Sequence, residues 1–165
     1  MAITLNGSGQ VIVQIVQAEL PSTYSFNSTS FVAISGMTAS ITPTSASNKI
    51  LMMVSLGRVT DDNGGTTGLA FQFVRNGTPV GIGNAASTRL RATFGALTFS
   101  DSNHGGGMSF SYIDSPATTS SITYSLYGAA VSGTAYINRT PNDYDNTTSY
   151  AARTDSTIIL MEISG

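Results

Sequence analysis

The residues of this chain that could do chemistry are few and scattered. His104-Gly105-Gly106-Gly107 has the form of the glycine-rich loop that offers backbone N–H groups to an oxyanion in some esterases. That chemistry also needs a nucleophile on a G-x-S-x-G turn and a histidine base. His104 is the only histidine and no G-x-S-x-G occurs, so the run reads as a surface loop. Asp61-Asp62-Asn63 and Asp143-Tyr144-Asp145-Asn146 concentrate the oxygen ligands that a hard cation such as Ca²⁺ takes. Neither carries the Glu that closes an EF-hand loop, and Asx side chains fill turns by bonding their own backbone, so the plain loop reading is preferred. Glycoside hydrolysis needs two carboxylates facing across a cleft. Asp61/Asp62 and Asp143/Asp145 are sequence neighbours and say nothing of a cleft, whereas Glu19 and Glu162 lie in or beside strands where a facing pair is conceivable. Tyr112, Tyr124, Tyr127, Tyr136, Tyr144 and Tyr150 crowd the second half and could stack on sugars. Alternating aromatics in strands more often serve the core or a sheet face. No enzyme activity, catalytic residue, cofactor or metal site is expected.

The elements that would position these residues are strands. Of 165 residues, 23 are Ser and 22 are Thr, while a single Lys and two Glu are present. Lys and Glu are what a helical surface normally uses; Thr suits a pleated surface and Ser, Gly, Asn and Asp close turns. Charged residues make up 10% and the net charge is −2. Arg58, Arg75, Arg89, Arg91, Arg139 and Arg153 are dispersed, so no basic face for nucleic acid is expected. No Cys is present, which removes disulfides and thiolate metal sites and suits folding in a reducing cytoplasm. The first residues lack the basic and apolar regions of a signal peptide, and no apolar run is long enough to span a bilayer as a helix.

Period-2 alternation recurs along the chain, and no stretch of helical length keeps a 3.6-residue period. Strands are expected over residues 10–20, 30–34, 39–42, 49–56, 69–74, 80–83, 89–99, 108–113, 121–130, 134–138 and 157–163. The first is apolar on both faces and predicts a strand with little solvent contact. Asn76-Gly77 is the strongest hairpin signal, because both residues tolerate positive φ. The expected architecture is an all-β, antiparallel, jelly-roll-like β-sandwich over residues 10–165, preceded by a short arm over 1–9 with a hinge-like Gly7-Ser8-Gly9.

The runs V-I-V-Q-I-V-Q at 11–17 and S-T-S-F-V-A-I-S-G-M-T-A-S-I-T-P-T-S-A-S-N-K-I-L-M-M-V at 28–54 open an ordered series. F-V-R-N-G-T at 73–78, Y-I-D-S-P-A-T-T at 112–119, Y-I-N-R at 136–139 and S-T-I-I-L-M-E-I at 156–163 complete it. The series, from Gly9 to Ile163, resembles a β-sandwich domain of phage virion proteins, often the C-terminal part of tail-fibre or structural proteins. The resemblance implies a β-sandwich, commonly a homotrimer, with no catalytic motif to carry over. The shortness of the segment before residue 10 favours a stand-alone capsid decoration (cement) protein. Such a protein would be made in the host cytoplasm, sit on the capsid surface of the virion and have the major capsid protein as partner. Neither nucleic acid nor a membrane is expected as a partner. Met1, Ala2, Ile3, Thr4, Leu5 and Asn6 are the expected partner-binding residues, reaching a neighbour by strand addition. The alternative is a tail-fibre or spike tip recognising a host-surface glycan.

Overall fold

The computed structural model describes residues 9–63, 68–97 and 105–165. The described chain is nearly all strand: β1 (Ile12–Leu20), β2 (Tyr24–Phe26), β3 (Val32–Ile41), β4 (Lys49–Asp61), β5 (Gly68–Arg75), β6 (Thr78–Val80), β7 (Phe94–Leu97), β8 (Gly106–Asp114), β9 (Ile122–Ala130), β10 (Ala135–Ile137) and β11 (Ser156–Ile163), with one 3₁₀ turn at Ser149–Ala151. All pairings are antiparallel.

β4 organises the first sheet. Val59 pairs with both Gly106 of β8 and Ile137 of β10, so these strands take opposite edges of β4. β8 runs along one edge; β11 and then β10 occupy the other, extended by β1 and β2 respectively. In the second sheet the order is β3-β9-β5, and the far edge of β5 is shared by β7 and β6. Taking β6 and β7 as one interrupted strand and setting aside the short β2 and β10, eight principal strands remain. Their order is first-eighth-third-sixth in one sheet and second-seventh-fourth-fifth in the other. That is the jelly roll expected from the alternation.

Local sequence explains the punctuation. Asn76 and Gly77 have φ of 46° and 83°, the doubly positive turn that closes the β5–β6 hairpin with Arg75 opposite Thr78. The two short strands expected around Gly36 are one strand, β3, with a register shift between Ala33 and Thr38 and Gly36 at φ 89°. A Cβ on Gly36 would lie 2.9 Å from Leu20 Cδ1, so the irregular turn also lets β1 and β3 approach.

Between the sheets lie Ile34, Met37, Ile50, Met52, Phe71, Phe73, Leu126, Ile137 and Ile158, all fully buried. Phe94 stacks on Phe71 at 5.0 Å and on Phe110 at 5.2 Å, joining β7 of one sheet to β8 of the other through an aromatic column. The expectation of a first strand hidden on both faces is corrected. β1 is the edge strand beyond β11, and Val11, Ile12, Val13 and Ile15 are exposed. Apolar alternation on both faces marked a strand; it did not reveal that one face lies open to solvent.

Candidate functional site

The outward face of the β1-β11-β4-β8 sheet is the distinctive surface of the molecule. Strand registers set its side chains in rows. One row runs Ile15–Met161–Leu51–Ile113, the next Gln17–Ile159–Met53–Ser111, the third Glu19–Thr157–Ser55–Ser109. Their pleat partners, among them Leu160, Met52, Ile158 and Val54, point inward and are buried. The first row is an apolar ridge: Ile15 and Ile113 at its ends are 57% and 53% exposed. Beside it, small hydroxylated residues leave a groove of about 330 Å³ lined by Met53, Ser55, Ser109, Ser111, Thr157 and Ile159. Charge is confined to the two ends of these rows. Lys49 stands opposite Ile163 past the ridge, and Glu19 ends the third row. Scattered apolar residues are ordinary on a protein surface; a contiguous, charge-free apolar band marks an interaction site.

Other side chains singled out by sequence serve the fold. Glu19 and Glu162 do not face one another: Glu19 is outward and exposed, while Glu162 is inward and fully buried. Glu162 accepts bonds from Asn48 Nδ2 (2.5 Å), Gln14 Nε2 (2.5 Å), the Thr44 N–H (2.7 Å) and the Thr44 hydroxyl (2.9 Å). Burial alone would raise its pKa, but these donors outweigh it and hold the carboxyl at about 2. Asn48 also receives the Gly165 N–H, so this carboxylate pins the β3–β4 turn, β1 and the end of the chain together.

The acidic loops behave likewise. Asp62 accepts from the Thr134 N–H at 2.6 Å and the Tyr136 hydroxyl at 3.0 Å. Burial pushes the Asp62 carboxyl up, but these donors prevail and leave its pKa below the usual value. Burial and the bond to Asp62 raise the Tyr136 hydroxyl, whose ring carries the Arg139 guanidinium at 4.2 Å. Asp61 is buried and accepts the Asn63 N–H. Asp143 is engaged by Arg153 at 2.7 Å and Arg139 at 3.7 Å. Among the described residues, no group of three or more His, Cys, Asp or Glu is arranged to hold a metal ion. Met1, Ala2, Ile3, Thr4, Leu5, Asn6 and His104 lie outside the described residues.

The tyrosines divide. Tyr124 is fully buried and Tyr112 packs against the core, whereas Tyr144 and Tyr150 are exposed and meet edge to face at 6.2 Å. Two residues that motif reading passed over hold the frame. Asn138, at φ 66° and fully buried, donates to the Leu20 and Ser22 carbonyls and accepts from Ser156 Oγ at 2.7 Å. Asp114 joins the two sheets through Tyr124 and Arg75. Neither carries a local sequence signal that marks it as a frame residue.

No known protein family and no curated protein matches the chain. Two solved structures of infectious bursal disease virus are similar over 99% of this chain and 44% of theirs. One is the VP2 subviral particle, with a TM-score of 0.33 and 12% identity. The other is the Gx strain, with a TM-score of 0.30 and 13% identity. The chain therefore spans less than half the length of those proteins, and no residue role passes from them at this level of similarity.

Proposed function

We propose that this protein is a virion structural subunit, and specifically a phage capsid decoration (cement) protein whose partner is the major capsid protein. The observation that carries the reading is the exposed apolar ridge Ile15–Met161–Leu51–Ile113 on the outward face of the β1-β11-β4-β8 sheet. A domain that exposes this face on a rigid jelly roll is built to work within an assembly. The ordered series of segments that resembles phage virion domains supports the virion as that assembly. Binding a site present only on the mature shell stabilises that state by mass action, which is how such a protein would brace a capsid. Met1 to Asn6 is the segment proposed to reach a neighbouring subunit. The test is to mix the purified protein with undecorated capsids, count bound copies and follow capsid melting. Occupancy at a regular lattice of sites with a raised melting temperature supports the reading, and absence of binding rejects it. Deleting residues 1–9 without loss of occupancy rejects the role given to that segment.

A second reading, a fibre tip that binds host-surface glycan, is favoured by the exposed Tyr144–Tyr150 pair, whose ring faces could stack on a sugar. Retention on host polysaccharide that is lost in Tyr150→Ala would support it. Virion copy number separates the two: hundreds of copies fit decoration, a few dozen or fewer fit the tail.

A further inference from the structure

We infer that the partner covering the outward face of the β1-β11-β4-β8 sheet is a second copy of this chain, related by a two-fold axis. The inference rests on the reading that the protein works in an assembly, and it names which contact is made first.

A two-fold interface must be complementary to itself. This face has the needed relief. The ridge Ile15–Met161–Leu51–Ile113 and the groove over Met53, Ser55, Ser109 and Thr157 run side by side across the same strands. A two-fold axis lying in the face, between the first and second rows and perpendicular to the strands, exchanges the two. It lays the ridge of each copy along the second row of the other, at the lip of the groove. The strands of the two copies then run nearly aligned, as in sheet-on-sheet packing with an interior of interdigitated side chains.

Charge follows the same symmetry. The operation brings the Lys49 end of one copy to the Glu19 end of the other, with Lys49 over Ser55 and Glu19 two strands, about 10 Å, to its side. These are the only charged residues among the rows, and they are of opposite sign. Opposite ends of the face thus attract when two copies meet head to tail, and like ends repel if they meet head to head. The area is that of a weak pair. Four strands about 4.8 Å apart and seven residues at about 3.4 Å each give a flat footprint of about 450 Å² per copy. Counted on both copies and before side-chain relief, that is about 900 Å², above most lattice contacts and approaching the range of specific pairs.

The test uses the full chain in solution without capsid. Native mass spectrometry and light scattering at micromolar to submillimolar concentration should give the mass of two chains. Met53→Asp and Ile113→Asp should each give one chain with unchanged circular dichroism. Lys49→Glu and Glu19→Lys should each weaken the pair about fivefold, and the double exchange should restore it, because attraction returns with the signs reversed. A wild-type mass of one chain overturns the inference; if that monomer binds capsids, the face belongs to the capsid and the proposed function stands. A mass of three chains overturns the two-fold arrangement in favour of the threefold one. A pair unaffected by Met53→Asp and Ile113→Asp also overturns it. A pair that forms as described but never binds capsids leaves this inference standing and removes the decoration role.

Discussion

Tyr124 and Asp114 meet across the sandwich: the hydroxyl carried by β9 donates to Asp114 Oδ2 on β8 at 2.7 Å, so one bond fastens the two sheets. The same oxygen accepts the Arg75 guanidinium of β5 at 2.8 Å. Burial, followed by the bond to Asp114, pushes the Tyr124 hydroxyl far above its ordinary pKa, so it stays a neutral donor at every pH the fold survives. Tyr124→Phe should lower unfolding stability by about 1–2 kcal/mol, the worth of a hydrogen bond to a charged group. Asp114→Ala should lower it by about 2–3 kcal/mol, because Arg75 then loses its counter-charge while half-buried. Urea melts of the two single variants and the double variant test this. Additive losses would show that the residues do not act as one unit.

Glu162 makes the fold sensitive to acid. Its folded pKa of about 2 lies below the ordinary 4.5, so folding favours the ionised form. Its contribution is complete above pH 4.5 and is lost as pH falls toward 2. Glu162→Gln should be less stable at neutral pH, since the amide meets donors with a donor. Its stability should also change less with pH across that window. Melts at a series of pH values decide the matter, and identical slopes for wild type and variant would reject it.

Gly57 is fixed by contact. A Cβ there would sit 2.2 Å from the Asp155 carbonyl oxygen and 2.7 Å from Thr154 Cβ, where the chain entering β11 presses on β4. Gly57→Ala should lower stability by about 2–3 kcal/mol through forced separation of these segments. Gly77→Ala is the matched control for added bulk, with open space around its Cβ and only its positive φ to oppose it.

Thr140 offers a change in the other direction. Its hydroxyl is buried and has no hydrogen-bond partner among the described residues. Thr140→Val keeps the shape and removes the unmet polar atom, so it should raise stability by up to about 1 kcal/mol. Thermal melts would show an upward shift; a fall would mean that the hydroxyl has a partner.

The strands were legible because alternation depends only on nearest neighbours. Lys49–Asp61 was expected as 49–56 and Ile122–Ala130 as 121–130. The extra turn of β4 escaped notice because Asp61 reads as a loop residue until Ala135 is found opposite it. β2 has three residues and pairs with β10 alone, so nothing local announces Tyr24–Phe26. The candidate face was less legible. Ile15, Met161, Leu51 and Ile113 come from four distant segments and become a ridge only when three registers are set together. A one-residue slip in any of them would turn that strand's share inward. In β1 the sequence displays apolar residues on both faces, and only its register against β11 decides which face meets water.

β11 lies between β1 and β4, so the last strand of the chain is the middle of its sheet. On a ribosome, β1 must wait beside an empty place until residues 156–163 emerge. The domain therefore cannot close until residues 156–163 are free to take that place, in one late event that joins its first and last strands. Until then the apolar residues of β1 and β4 are open to chaperones. The interval before β11 arrives is thus when the unfinished domain is open to misassembly.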